Sequence, residues 1–141
     1  MMKKFSLLVA LCAVLLVSGC MGPKKVDTFQ TMEVSFEWNG NAGSFTSSPN
    51  PEIFVSNVPA GTAFFEVKMK DLDRPNTNHG GGTVAYTGDG VIPVGSLKSY
   101  RGPQPPEPEV HTYVITVRAL NADKSQLLGE GKASRRYPGM K

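Results

Sequence analysis

The sequence predicts an all-β domain, an antiparallel β-sandwich with little helix. Fifteen glycines and eleven prolines among 141 residues interrupt the chain too often for long helices. Several short stretches alternate apolar and polar side chains, as strands with one buried face do. No segment repeats apolar residues at the helical period for more than a turn or two. A chain of this length corresponds to one domain.

The N-terminal residues are typical of a bacterial lipoprotein leader. Lys3 and Lys4 form a positive region, residues 7–17 form an apolar run, and Val-Ser-Gly then precedes Cys20. This order resembles a lipobox, the cleavage and lipidation signal of such proteins, and the apolar run is short for a membrane span. We expect residues 1–19 to be a signal peptide and Cys20 to carry a lipid that holds the protein on a membrane. A plain signal peptide or an uncleaved anchor are the alternatives.

Charge and thiol chemistry change once the leader is removed. Removing Lys3 and Lys4 with the leader changes the count from 15 basic against 12 acidic residues to 13 against 12. So small an excess of positive charge argues against a nucleic-acid partner. Cys12 leaves with the leader and Cys20 is consumed by the lipid, so thiol catalysis and a cysteine metal site are excluded. Met21 follows the cysteine instead of the Asp that resembles an inner-membrane retention signal. We therefore expect the bacterial envelope, with the periplasmic side of an outer membrane favoured.

The mature chain divides into a short tether and a β domain. Residues 20–31 are mostly polar and are expected to be the lipidated tether, and residues 32–141 the domain. Apolar side chains occupy every second position in the three clearest strands, which are residues 32–38, 63–70 and 111–120. Weaker patterns predict three more strands, at residues 52–56, 83–87 and 127–137.

Two predicted loops carry the polar groups of greatest interest. Residues 71–82 are rich in polar residues and glycine, and four prolines between positions 103 and 108 exclude regular structure there. A predicted strand ends near Asp71, and His79 and His111 each lie where a loop meets a strand. These three residues could meet at one end of the sandwich, where loops build sites, or be unrelated surface residues. Their spacing leaves both interpretations open.

Several motifs follow one another between residues 48 and 113. They are Ser-Pro at 48–49 with Val-Pro-Ala-Gly-Thr at 58–62, Asp-Leu-Asp-Arg-Pro at 71–75, His79, Gly-Pro-Gln-Pro-Pro at 102–106, and His-Thr-Tyr at 111–113. Together they resemble the phosphatidylethanolamine-binding protein (PEBP) family, which includes the Raf kinase inhibitor proteins and bacterial relatives. The resemblance covers residues 48–137. It implies a β-sandwich with a small anion pocket at one end, which agrees with the predicted strands.

The resemblance also implies a set of ligand-binding residues. Imidazole N–H groups, a tyrosine hydroxyl and backbone amides can donate to phosphate oxygens, while a carboxylate fixes a histidine tautomer. The implied ligand is a phosphate-bearing small molecule or a phospholipid head group, with no cofactor and no identified protein partner. The implied residues are Asp71, Asp73, His79, Gly102, Pro105, Pro106, His111 and Tyr113.

The chain departs from the family pattern around the implied pocket. Leu72 replaces a proline and leaves an additional backbone N–H, and Arg74 replaces a small residue and adds a cation nearby. His79 is followed by three glycines where the family has apolar strand residues, which opens one wall. The family often has a cis peptide in this turn, which would correspond to the Arg74–Pro75 bond.

Three functions therefore stand open. The first is a lipid-anchored module that binds a phosphate-bearing ligand. The second is a structural or interaction lipoprotein with a vestigial pocket. The third is a metal-dependent hydrolase using Asp71, His79 and His111. The sequence contains no nucleophile elbow, glycine-rich phosphate loop or His-Glu-x-x-His motif that would favour an enzyme.

Overall fold

The computed structural model describes residues 22–40 and 42–138. The predicted signal peptide at residues 1–19 and the predicted lipidation site at Cys20 lie outside the described residues. The described residues contain eight strands and no helix. This part of the chain therefore has no helix that could cross a membrane. The all-β prediction is confirmed.

The strands form two sheets. In chain order they are β1 (Lys24–Thr31), β2 (Glu33–Phe36), β3 (Ile53–Ser56), β4 (Phe64–Asp71), β5 (Asn78–Ala85), β6 (Val91–Ile92), β7 (His111–Leu120) and β8 (Gln126–Tyr137). The larger sheet has the order β1-β8-β7-β4-β5 and the smaller one has the order β2-β3-β6. All pairs are antiparallel except β1 with β8, which run parallel.

The core lies between the two sheets. Every second residue of β4 and β7 is buried, as the alternation at residues 63–70 and 111–120 predicts. Phe65 and Val67 of β4 and Ile115 of β7 meet Phe36 and Ile53 of the smaller sheet in one cluster. Each such side chain contributes about 1.5–3 kcal/mol when fully buried, so these rows fix the sheet register.

The prediction of a tether is wrong for residues 24–31. They form β1, which pairs with β8 from Lys24 beside Gln126 to Thr31 beside Glu130. No residue of β1 is buried, so its side chains show no apolar alternation that a sequence pattern could reveal. Backbone pairing with β8 holds the strand in place.

The loop predicted at residues 71–82 is also too long, because β5 begins at Asn78 and contains the three glycines. Gly80 and Gly81 have φ angles of 63° and 147°, which glycine adopts without strain. A Cβ at Gly80 would collide with the Ser99 carbonyl, and one at Gly81 with the Val67 carbonyl. The glycines therefore let neighbouring backbone pack against β5. The two-residue strand β6 was not predicted.

Four strand ends meet at one end of the larger sheet. Asp71, the last residue of β4, pairs with Tyr113 of β7, and Lys70 pairs with Asn78 of β5. His111, the first residue of β7, pairs with Tyr137 at the end of β8. This register gathers the polar residues singled out from the sequence.

Candidate functional site

The structure brings four of the predicted site residues together at this end of the sheet. Asp71 and His111 share a hydrogen bond. The ring centroids of His79 and His111 lie 5.2 Å and 6.3 Å from that of Tyr113. The relative exposure of Asp71, His79 and His111 is 2%, 2% and 4%. Buried polar side chains need partners, and each of these three forms at least one hydrogen bond.

Asp71 is held by three donors. His111 Nδ1 donates to Asp71 Oδ2 at 2.7 Å, and the backbone amides of Asp73 and Arg74 donate to Oδ1 at 2.8 Å and 2.9 Å. Burial by itself would raise the pKa of Asp71, but the hydrogen bonds from His111 and these amides outweigh it and lower that pKa. Asp71 is therefore a carboxylate that fixes the orientation of His111.

The second ring nitrogen of His111 also faces a carboxylate. His111 Nε2 lies 2.7 Å from Glu109 Oε2, and the Arg74 guanidinium lies 3.5 Å from the same oxygen. The hydrogen bond with Asp71, and next the one with Glu109, raise the pKa of His111 against the opposing effect of burial. A histidine bonded to two carboxylates is stabilised in its doubly protonated form, because carboxylates can only accept.

The turn after β4 is fastened to β7. The amide of Leu72 donates to the Thr112 carbonyl at 2.9 Å, and the amide of Thr112 donates to Asp73 Oδ2 at 2.7 Å. Leu72 thus uses the N–H that a proline would lack. The expectation of a cis Arg74–Pro75 bond is wrong: the cis bonds of the described residues precede Pro108 and Pro138. Asp71 closes the turn by accepting from the backbone instead.

His79 is fixed by Arg101 and by two aromatic rings. Its Nδ1 donates to the Arg101 carbonyl at 3.1 Å, while the Arg101 amide donates to the His79 carbonyl at 2.9 Å. The imidazole packs edge-on against Phe45 and Tyr113, at centroid distances of 5.4 Å and 5.2 Å. No residue of the described chain hydrogen-bonds Nε2 of His79.

Tyr113 lies between the two imidazoles and is fully buried. Its hydroxyl makes no hydrogen bond of full geometry among the described residues, but the Asp71 carboxylate and the Gln104 backbone lie close enough to influence it. Burial, and then the nearby Asp71 charge, raise the pKa of this hydroxyl, so it stays protonated. Its ring also packs edge-on against Trp38, at 5.8 Å between centroids.

The proline-rich loop borders an open hollow of about 600 Å³. Pro105, Pro106, Glu107 and Glu109 line it together with Tyr137 at the end of β8. Asp71, His79, His111 and Tyr113 are not part of its wall. Because Glu109 both lines the hollow and bonds His111, its carboxylate separates the imidazole from the hollow.

Gly102, at the start of this loop, packs against residues 42–44. A Cβ at this position would lie 2.5 Å from the Ser44 carbonyl oxygen and 2.6 Å from that of Ala42. Only glycine lets the loop pack this closely against residues 42–44. Its role in the structure is therefore packing, and the loop beyond it carries the groups that border the hollow.

Glu109 is the residue of this site that the sequence analysis missed. It lies two positions before His111, and residues two apart in an extended chain face the same side. That spacing would have placed its carboxylate beside the imidazole.

Within residues 22–40 and 42–138, no three His, Cys, Asp or Glu side chains are grouped so that they could hold a metal ion. Asp71, His79 and His111 are thus not such a group. Another hollow, of about 470 Å³, lies on the outer face of the larger sheet among Lys68, Lys70 and Lys132, away from both histidines.

Comparison with solved structures identifies the fold. YbcL of Escherichia coli, described as a new member of the mammalian PEBP family, superposes with a TM-score of 0.57 at 16% sequence identity. The alignment covers 79% of this chain and 100% of the Escherichia coli chain. The chain has the PEBP fold.

A second solved structure with this fold is more distant. CT736 of Chlamydia trachomatis, described as a PEBP homologue, aligns over 78% of this chain and 99% of its own. The identity is 12% and the TM-score 0.44, too low to support an argument. No family model and no curated protein matches the sequence. The likeness to the PEBP family therefore rests on the fold, and Asp71, His79, His111 and Tyr113 lie at one end of that fold.

Proposed function

We propose that the protein binds a small phosphate-bearing molecule where His111 and Arg74 meet. One observation carries this proposal: both cationic groups approach a single anionic oxygen, Glu109 Oε2, at 2.7 Å and 3.5 Å. An imidazolium and a guanidinium that converge on a carboxylate oxygen can donate to a phosphate oxygen in the same way. The adjoining hollow of about 600 Å³ has room for the rest of a small ligand.

Two further features support a ligand at this position. Asp71 is fixed by backbone amides and keeps His111 oriented with Nε2 towards Glu109. The buried Tyr113 hydroxyl lies beside Asp71, and the Tyr113 ring contacts that of His111, so Tyr113 helps to hold this pair in place. A phosphate monoester satisfies this chemistry whether it is dissolved or forms part of a phospholipid head group.

Ligand binding can be measured through Trp38, the single tryptophan of the chain. Its ring contacts Tyr113 at 5.8 Å and Tyr137 at 5.6 Å, so its fluorescence should respond to a change at the site. The full chain in detergent is titrated with inorganic phosphate, phosphoethanolamine and ethanolamine. We expect saturable responses to the first two and none to ethanolamine, which lacks the anion. Vesicles containing phosphatidylethanolamine form a separate arm that tests the lipid source.

Matched variants locate the site. Arg74→Gln and His111→Gln each remove one converging donor and should weaken phosphate binding at least tenfold, about 1.4 kcal/mol. Lys124→Gln is the control, because Lys124 lies over Phe64 at the other end of the sheet. Unchanged affinity in both site variants would show that the anion binds elsewhere. Absence of any anion binding, by the wild type and by every variant, would favour a vestigial pocket in a structural or interaction lipoprotein.

We also propose that a lipid on Cys20 holds the domain at a membrane of the bacterial envelope, on the periplasmic side of an outer membrane. The leader, the apolar run and the lipobox-like residues before the cysteine support this. Fractionation of cells that express Cys20→Ala should find the protein in the soluble fraction, with Ser18→Thr as a control that retains the cysteine. Membrane retention of the Cys20→Ala protein would contradict the proposal.

A further inference from the structure

The two carboxylates that bond His111 differ sharply in their surroundings. The side chain of Asp71 is 3% exposed and that of Glu109 is 50% exposed. Asp71 also accepts from two backbone amides, whereas Glu109 bonds only to His111 and Arg74 in the described structure. Asp71 is therefore a fixed part of the site, and Glu109 is free to swing into solvent.

Glu109 also supplies the polar side-chain contacts of the proline-rich loop. Within the described residues, it supplies every ion pair and side-chain hydrogen bond from residues 103–110 to the rest of the protein. The residues around it, 106–110, are all exposed. If the carboxylate left His111, this hydrogen bond and the Arg74 ion pair would be lost, but no buried packing around Glu109 would be disturbed.

We propose that Glu109 is an internal competitor for the ligand, its carboxylate holding the anion position until an external phosphate displaces it. This inference rests on the proposed function, because it concerns the same donors. A phosphate oxygen and Glu109 Oε2 need the same two hydrogen-bond donors, His111 Nε2 and the Arg74 guanidinium. Both cannot hold them at once, and like charges add to the conflict.

The competition lowers the apparent affinity by a predictable factor. When a site is open in only a fraction of molecules, the apparent dissociation constant rises by the inverse of that fraction. A contact that leaves about one molecule in ten open therefore weakens binding about tenfold. Removing the charge of Glu109 should therefore tighten phosphate binding by about the same factor.

The test compares Glu109→Gln with Glu107→Gln. Both remove one negative charge from the same loop and from the wall of the same hollow, but only Glu109 pairs with His111 and Arg74. The full chain is titrated with inorganic phosphate and with phosphoethanolamine, followed by Trp38 fluorescence. We expect Glu109→Gln to bind about tenfold more tightly than the wild type, and Glu107→Gln to change affinity less than threefold.

The outcomes separate this inference from the proposed function. Equal or weaker binding by Glu109→Gln, with the wild type still binding through His111 and Arg74, would overturn the competitor role alone. An equal gain in Glu107→Gln would also overturn it, since general charge would then explain the result. Absence of binding by the wild type and by Glu109→Gln would overturn both proposals. Phosphate binding by Glu109→Gln, with no detectable binding by the wild type, would support both proposals.

Discussion

Replacing Asp71 by asparagine should destabilise the protein through one bond, the charged contact with His111. Asparagine keeps an oxygen that can accept from the amides of Asp73 and Arg74, so the turn survives. The lost interaction is a 2.7 Å bond between buried groups. Hydrogen bonds to charged groups contribute about 1.5–3 kcal/mol, and we expect a loss of this size from the free energy of unfolding. Asp71→Ala, which removes all three acceptor contacts, should cost about 3–5 kcal/mol.

The loss should depend on pH in a defined direction. The pKa of Asp71 is lowered in the folded protein, so its contribution is present above about pH 4 and disappears as the pH falls through the folded value. The pKa of His111 is raised, so its contribution is complete below about pH 6.5 and disappears as the pH rises through the folded value. The difference between wild type and Asp71→Asn should therefore be largest between about pH 4 and pH 6.5.

Urea unfolding of the full chain, followed by Trp38 fluorescence at several pH values, measures this difference. Asp123→Asn is the matched control, because Asp123 is exposed and its carboxylate bonds within its own turn, to Ser125. We expect the control to change stability by less than about 0.5 kcal/mol. The reasoning would be refuted if Asp71→Asn behaved like the control at pH 5.5, or if its effect were the same from pH 3 to pH 9.

Three further variants, with Gly40→Ala as a control, test the packing and two buried hydroxyls. Gly80→Ala places a Cβ against the Ser99 carbonyl at a positive φ, and thermal unfolding by circular dichroism should show a loss of at least about 2 kcal/mol. Gly40→Ala, in open space, should melt like the wild type. Tyr100→Phe removes a buried hydroxyl that has no partner in the described residues, so its melting temperature should be equal or higher; a large drop would mean that the hydroxyl is satisfied. Tyr113→Phe should keep stability within about 1 kcal/mol but weaken phosphate binding, and unchanged affinity would remove this hydroxyl from the site.

The sequence predicted those strands whose side chains are buried on one face. β4 and β7 alternate because one face of each lies in the core, and their predicted bounds agree with the structure within one residue. β1 was missed because it is held by backbone pairing with β8, which leaves no trace in side-chain polarity. The glycines at positions 80 and 81 indicated a loop, but here glycine serves close packing between backbones in a strand.

Part of the candidate site could also be predicted. Asp71 and His111 each lie at a strand end, and antiparallel pairing of β4 with β7 brings those ends together. The prediction could not reach the contacts that decide the chemistry. Which carboxylate bonds which nitrogen of His111 depends on the path of the proline-rich loop, and this path follows from tertiary packing rather than from local periodicity.

The parallel pairing of β1 with β8 places the start of β1 far from the candidate site. Lys24 lies beside Gln126 at one end of β8, while His111 lies beside Tyr137 at the other. At about 3.3 Å per residue, β8 separates these ends by on the order of 30 Å. The backbone from Cys20 to Lys24 reaches at most about 14 Å. A lipid on Cys20 would thus keep the Lys24 end of the domain within reach of the bilayer, with the candidate site at the opposite end of β8. Such a molecule would sample solutes of the surrounding aqueous compartment in preference to the head groups of its own leaflet.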